Sequence, residues 1–301
     1  MDPMNFAVVP ITALLGDMCL SKATGFFYTG EVNGESSTWL VTNWHVLSGR
    51  SAEAPYHALH HKLALPDALE FPLLIRPDNS EIGATGELAF QNQRVSLFYG
   101  TGQAKWYQHQ EQAAFDVGVI RLPIDRGRFH LNGINEVALQ YDMEVTVGSQ
   151  VFVLGYPLGF KHFATTPTWK RGSIASEPIY ETPETRNRVV IDATTRSGMS
   201  GAPVVMREKT HYLSESGIIV QHPNATRFIG VYASRPKIVG FEEHQHESDR
   251  RAEVGYFYKS GSVDEIIRHG IPGPPITVLK LPENTRQQSQ AFRFHPKLFS
   301  E

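Results

Sequence analysis

The sequence predicts an all-β fold, a sandwich or a barrel, and two features of its pattern carry that prediction. Short apolar or alternating runs rich in Val, Ile, Phe and Tyr recur along the chain, and Gly, Asn, Asp and Pro separate them. Few segments have helical periodicity. Repeated short strands of this kind are typical of β-sandwiches and β-barrels. The predicted strands lie within residues 24–30, 37–47, 95–100, 117–122, 150–157, 188–194, 202–206, 216–221, 227–234 and 254–259.

The predicted strands fall into two groups that meet near residues 145–149. We therefore predict an N-terminal β unit over 1–145, a C-terminal β unit over 146–261, and a helix with an extended tail over 262–301. Ser262 is a candidate N-cap for that helix, Glu265 its capping-box partner and Gly270 its C-cap. The following stretch, IPGPPITVLKLPENTRQQSQ, is polar and punctuated by proline, which predicts an extended tail.

Composition excludes several classes of function. The 301 residues include 28 Lys and Arg against 31 Asp and Glu, a net charge of −3 that gives no reason to expect a nucleic-acid partner. No apolar run approaches the roughly 18 residues of a spanning helix, so we expect no membrane partner. Cys19 is the one cysteine, so no intramolecular disulfide can form, which favours a soluble chain in a reducing cytoplasm.

Three residues, far apart in the chain, carry side chains suited to nucleophilic catalysis. Ser200 lies between glycines in DATTRSGMSGAPVV, His45 follows an apolar run in WLVTNWHVL, and Asp116 precedes one in AAFDVGVIRLP. Taken singly, they fit a tight turn, a packed histidine and a strand cap. Together they supply a nucleophile, a base and a group to orient the base.

The motifs TNWHV, FDVGVIRL and GMSGAP, in this order, resemble those of the trypsin-like serine peptidases. The sequence pattern is similar to that of the bacterial high-temperature-requirement (HtrA) branch and its small intracellular relatives. We expect no PDZ domain after residue 265. The resemblance covers about residues 20–260. It implies two six-stranded antiparallel β-barrels with the active site between them.

The resemblance also implies a role for each motif residue. His45 would take the Ser200 proton and return it to the leaving group, and Asp116 would fix the histidine tautomer. The backbone N–H groups of Gly198 and Ser200 would form an oxyanion hole, which requires a backbone that glycine permits. Met199 stands where digestive relatives have an aspartate, so activation, where it occurs, would act through loop ordering or an activating partner protein.

By the same resemblance, a pocket would bind the side chain before the scissile bond. Thr194 stands where trypsin-like specificity needs an aspartate, so we expect no requirement for Lys or Arg. A pocket lined by hydroxyl groups suits small apolar, polar or acidic side chains, and the sequence leaves these open. The residues that would line it are Thr194, Thr195, Arg196, Tyr232, Ala233, Ser234, Gly255 and Phe257.

Two histidine groups raise the question of a metal. His57, His60 and His61 have helical spacing, and His244 and His246 lie among acidic residues. No cysteine or second matching motif supports a zinc site, so we predict surface positions for both groups, no metal and no cofactor.

The sequence therefore predicts a bacterial, cytoplasmic serine endopeptidase acting on a protein or peptide substrate. The alternative is a trypsin-fold module that binds peptides without turnover. An α/β-hydrolase is disfavoured because its Gly-x-Ser-x-Gly elbow is broken at Ala202 and a strand, not a helix, is expected to follow.

Overall fold

The computed structural model describes residues 1–280 except 53–54, 56–58, 61–63, 77–87, 112–114, 139, 162–164, 181–187 and 235–252. Most of the predicted tail, over 281–301, lies outside the described residues. Nearly all the regular structure is strand, with a few short helices, so the predicted all-β class is confirmed.

Strands of the N-terminal half form one antiparallel sheet with a short eighth strand, Ile271–Pro272, at one edge. In spatial order that short strand is followed by β6, β7, β3, β2, β1, β4 and β5. The predicted arrangement was a six-stranded barrel, whereas the structure has an eight-stranded sheet. One of the two additional strands is Ile271–Pro272, which pairs with the exposed edge of β6, where unpaired backbone groups are available. The seven strands are β1 (Val8–Leu15), β2 (Met18–Val32), β3 (Glu35–Thr42), β4 (Ala68–Leu74), β5 (Phe90–Ser96), β6 (Trp106–Gln108) and β7 (Gly118–Arg121).

Strands of the C-terminal half close into the six-stranded antiparallel barrel that was predicted. Inward and outward side chains alternate along it, as in β10, where Val189 and Ile191 are buried. The barrel order is β10, β15, β14, β11, β8 and β9, and β12 and β13 form a separate hairpin. The bounds are β8 (Gln150–Gly155), β9 (Thr168–Ile174), β10 (Arg188–Asp192), β11 (Pro203–Glu208), β12 (His211–Leu213), β13 (Ile219–Gln221), β14 (Ala225–Ser234) and β15 (Val254–Lys259).

The helices are short: α1 (Trp44–Ser48), α2 (Ile134–Val137), α3 (Gly261–His269) and α4 (Ile276–Leu279). Helix α3 is the one predicted near the end of the chain. It begins after Ser260 rather than Ser262, whose hydroxyl instead donates to the Lys259 carbonyl at 2.7 Å. Gly270 is its C-cap, as predicted. No helix in the described ranges has the length and apolar character needed to cross a membrane.

One hydrophobic core joins the sheet to the barrel. The rings of Phe26 on β2 and Phe228 on β14 meet edge to face with centroids 5.3 Å apart. Helix α3 buries Val263 and Ile266 in the same core. The Tyr156 hydroxyl, at the end of β8, donates to the Val8 carbonyl at 3.0 Å. These contacts pack the N-terminal sheet against the C-terminal barrel. The predicted unit boundaries at 145 and 261 stay predictions.

Candidate active site

His45 lies in the first turn of α1, directly after β3. The buried end of β3 leads into Asn43, whose backbone is extended, and the helix begins at Trp44. Trp44 is 0% exposed and donates its indole N–H to the Gln108 side-chain oxygen at 2.8 Å. This anchor on one face of the helix leaves the His45 side chain, which is 21% exposed, on the other.

Asp116 holds the His45 ring with its carboxylate. Its Oδ2 is 2.7 Å from His45 Nδ1, and its Oδ1 accepts the backbone N–H of His45 at 2.9 Å. Asp116 is only 5% exposed. Because an ionised carboxylate can only accept hydrogen bonds, Nδ1 carries the ring proton and Nε2 is left to accept another.

Two residues that the sequence analysis missed lie close to Asp116. The Asn43 side-chain amide donates to the Asp116 carbonyl at 2.7 Å, and Asn43 is fully buried. Burial raises the pKa of the Tyr258 phenol, and the neighbouring Asp116 charge raises it further. Asn43 could have been noticed from its place in TNWHV, but Tyr258 has no local signal.

Ser200 lies on the loop that connects β10 to β11. Gly198 and Gly201 on this loop have φ values of +94° and +84°, in the region that favours glycine. A side chain on Gly198 would collide with the Tyr156 carbonyl oxygen and lie 3.0 Å from the Leu158 nitrogen. Within the described residues, neither the Gly198 N–H nor the Ser200 N–H donates a hydrogen bond to the protein. The loop therefore carries two unused donors, two residues apart.

Thr24 on β2 ties this loop to the N-terminal sheet. Its hydroxyl donates to the Gly198 carbonyl at 2.7 Å, and its N–H donates to the Ser200 carbonyl at 2.9 Å. Its own carbonyl accepts the Thr42 hydroxyl at 2.8 Å. A side chain on Gly201 would collide with both threonines. Because Thr42 is the last residue of β3, the serine loop is held at the point where the chain turns toward His45.

The three predicted catalytic residues are thus brought to one region by different kinds of contact. His45 and Asp116 are joined directly, whereas Ser200 is linked to them through Thr24 and Thr42. Among the described residues, no hydrogen bond joins the Ser200 hydroxyl to His45. In unliganded enzymes this bond is often long and tightens when substrate binds.

Three of the predicted pocket residues pack against one another. The Thr195 and Tyr232 hydroxyls are 2.5 Å apart, and these residues are only 1% and 3% exposed. A Cβ on Gly255 would lie 2.6 Å from Tyr232 Cε2, so the tyrosine ring lies against the glycine backbone. The ring of Tyr232 therefore fills the space between Thr195 and Gly255.

The remaining predicted pocket residues are dispersed. Thr194 is half-buried and donates to the Glu253 carboxylate at 3.2 Å. Arg196 is exposed and donates to the preceding carbonyl, and Ser234 donates to the Tyr256 hydroxyl at 2.9 Å. The other two are buried in the hydrophobic core: Ala233 and Phe257.

The described part of the chain contains no group of three or more His, Cys, Asp and Glu residues that could hold a metal ion. Of the histidines singled out in the sequence, His57, His61, His244 and His246 lie outside the described residues.

The sequence profile of a trypsin-like peptidase domain matches residues 23–210 of the chain. The matched range spans more than half of the 301 residues and contains His45, Asp116 and Ser200. This chain belongs to the trypsin-like peptidase family. Proteins or peptides are therefore its class of substrate.

Solved structures similar to this trypsin-like peptidase include Deg5, at 16% identity and a TM-score of 0.44, with 87% of each chain covered. A serine endoprotease from Yersinia pestis matches at 13% identity and a TM-score of 0.44, over 87% of this chain and 62% of that one. The HtrA-type protease AlgW, solved with a tripeptide, matches at 14% identity and a TM-score of 0.45, over 88% and 61%. This chain thus spans about three fifths of the latter two. No curated protein matches it in sequence.

One residue beside the serine loop of this trypsin-like peptidase has a strained backbone. Leu158 has a φ of +55° and a ψ of 18°, a left-handed conformation that costs a non-glycine residue about 1–3 kcal/mol. Its N–H donates to the Ser197 carbonyl at 2.6 Å. Strain of this kind often persists at functional sites, and no sequence motif indicates it here.

Proposed function

We propose that this trypsin-like peptidase is a serine endopeptidase with Ser200 as nucleophile, His45 as general base and Asp116 as the residue that orients the base. The observation that carries the proposal is the hydrogen bond between His45 Nδ1 and Asp116 Oδ2, at 2.7 Å, at the end of the strand to which the serine loop is tied. It leaves Nε2 as the proton acceptor that a serine nucleophile needs.

In the first half of the proposed reaction, Ser200 Oγ attacks the carbonyl carbon of the scissile bond and transfers its proton to His45 Nε2. The carbonyl oxygen becomes an oxyanion, which the unused N–H groups of Gly198 and Ser200 would stabilise. His45 then gives its proton to the amide nitrogen, the C–N bond breaks, and the amine half leaves. The acyl half stays as an ester on Ser200.

In the second half, water replaces the amine. His45 takes a proton from the water, the resulting hydroxide attacks the ester, and a second oxyanion forms in the same place. When this oxyanion collapses, His45 returns the proton to Ser200 Oγ and the carboxylic acid is released. Atoms and protons balance without a metal or cofactor. Throughout, the buried Asp116 carboxylate stabilises the positive charge that His45 carries between the two transfers.

The reaction should be tested first with a fluorophosphonate probe, which forms a phosphonate ester on an activated serine as fluoride leaves. We expect labelling of the wild-type chain and none of Ser200→Ala. Ser197→Ala is the matched control, because it removes a serine from the same loop and should still be labelled. A folded wild-type chain that remains unlabelled would refute the proposal and favour a peptide-binding module.

We further propose that Tyr232 limits the side chain that fits before the scissile bond. Its ring fills the space between Thr195 and Gly255. We therefore expect the site to accept Ala, Val, Ser or Thr before the scissile bond rather than Arg or Phe. The proposal adds to the prediction that no Lys or Arg is required there. It leaves the protein substrate, an activating partner and the cytoplasmic location as predictions from the sequence.

Replacing Tyr232 should change this preference. We expect Tyr232→Ala to raise kcat/KM for peptides with Leu or Phe before the scissile bond, relative to Ala, by about 10- to 100-fold, because apolar contacts of this size act on that scale. Tyr232→Phe keeps the ring, loses the bond between its hydroxyl and Thr195, and should keep the small-residue preference. A peptide library measures both, and a wild-type preference for Lys, Arg or Phe would contradict the assignment.

A further inference from the structure

Leu158 combines two unfavourable features. It is 71% exposed, and its backbone lies in the left-handed region at a φ of +55°. Glycine or asparagine adopts this conformation at a lower cost. The hydrogen bond from its N–H to the Ser197 carbonyl accounts for the position of the peptide group but not for the leucine side chain.

The side chain of Leu158 projects at the edge of the serine loop. Gly198 packs so closely on residues 156–159 that a Cβ there would lie 3.0 Å from the Leu158 nitrogen and 3.1 Å from the Gly159 nitrogen. Leu158 is thus adjacent to Gly198, the residue whose N–H would bind the oxyanion. Phe160, which is 57% exposed, extends the apolar surface.

A positive charge borders this surface. The stem of Lys22 lies across Gly159, and its Nζ is 3.2 Å from the position of a Cβ on that glycine. Lys22 is exposed, and it is two residues before Thr24, which bonds to the serine loop. Leu158, Phe160 and Lys22 therefore form an exposed surface that is apolar at one end and cationic at the other. We refer to these three residues as the Leu158 surface.

The two sides of the serine loop have different neighbours. On one side β14 contacts the loop, because the Gly201 N–H donates to the Tyr232 carbonyl at 3.0 Å. On the other side are Thr24 and the Leu158 surface. A substrate strand that places its scissile carbonyl oxygen on the loop must cross the loop, with one half of the strand on each side. If its acyl half binds beside Tyr232, its leaving half must lie along the Leu158 surface.

We propose that the Leu158 surface binds the leaving segment of the substrate. It favours an apolar residue directly after the scissile bond, followed by an acidic residue. Leu158 contacts the apolar side chain, and Lys22 attracts the acidic one. The proposal rests on the proposed peptidase function and adds a second determinant of specificity to it. Contact with substrate would also explain why an exposed, strained leucine occupies this position.

The test compares two substrates with the same acyl half. One carries Leu-Glu after the scissile bond as an internally quenched peptide, and the other carries a chromogenic anilide in place of the leaving segment. kcat/KM covers the steps up to release of the leaving group, so the ratio of the two values isolates contacts to that segment. We expect Leu158→Gly to lower the ratio about tenfold, and Leu158→Met, which keeps an apolar side chain, to restore most of it.

The charge is tested by the same ratio. At low salt, Lys22→Glu should lower the kcat/KM ratio about fivefold for the Leu-Glu peptide. It should raise the ratio about fivefold for a Leu-Lys peptide. Added salt should weaken both effects. If Leu158→Gly lowers kcat/KM equally for both substrates, Leu158 serves only the loop backbone. The inference about the leaving segment is then wrong, while the proposed peptidase function is unaffected. If the wild-type chain cleaves neither substrate, the proposed function itself is wrong.

Discussion

Replacing Asp116 with Asn should lower kcat about 10⁴-fold without unfolding the protein, the loss expected when the orienting carboxylate of such a triad is neutralised. The amide has nearly the same shape as the carboxylate, but it can satisfy only part of the present arrangement. Asp116 accepts both His45 Nδ1 and the His45 backbone N–H, at 2.7 and 2.9 Å. An amide that turns its NH₂ toward Nδ1 makes that nitrogen an acceptor, which puts the ring proton on Nε2 and removes the base.

Steady-state kinetics on a small-residue peptide, together with circular dichroism, would measure this effect. Asp142→Asn is a matched control, since Asp142 also accepts a hydrogen bond at 2.9 Å, from the Tyr212 hydroxyl, outside the proposed triad. It should keep kcat within about twofold, since substitutions away from such features have small effects. A folded Asp116→Asn chain with wild-type kcat would remove the base–orienter pair from the mechanism.

The sequence is informative about the site wherever a residue stands in a local motif. His45 follows an apolar strand, Asp116 precedes one, and Ser200 lies between glycines, so each could be found without knowing its neighbours in space. The unusual backbone at Gly198 could likewise be expected, because glycine tolerates a positive φ better than the other residues of the serine loop.

The residues that hold the site together have no such local pattern. Thr24 looks like any threonine in a strand, and its bond to Gly198 crosses 174 positions of the chain. Tyr258 belongs to an ordinary alternating strand, and only the fold brings it to Asp116. The same holds for Ile271–Pro272, a two-residue strand containing proline, which becomes part of the N-terminal sheet only because helix α3 delivers it to the edge of β6.

Replacing Gly198 with Ala should lower kcat about 10²- to 10³-fold, which is the effect of losing one oxyanion donor. With a φ of +94°, alanine is strained at this position, and its Cβ would collide with the Tyr156 carbonyl oxygen. The peptide must rotate to relieve the collision, and its unused N–H then leaves the position from which it would bind the oxyanion. KM should change much less than kcat, because the donor acts mainly in the transition state.

Gly217→Ala separates the loss of this donor from simple backbone strain. Gly217 has a φ of +78° in the turn between β12 and β13, and a Cβ there meets no atom within 4 Å. Both variants should lose about 1–2 kcal/mol in free energy of unfolding from the left-handed backbone alone, and Gly198→Ala should lose more because of its collision. Only Gly198→Ala should lose kcat. If the two variants have equal kcat at a temperature where both are folded, the Gly198 N–H does not stabilise the oxyanion, and the loop has glycine there for packing alone.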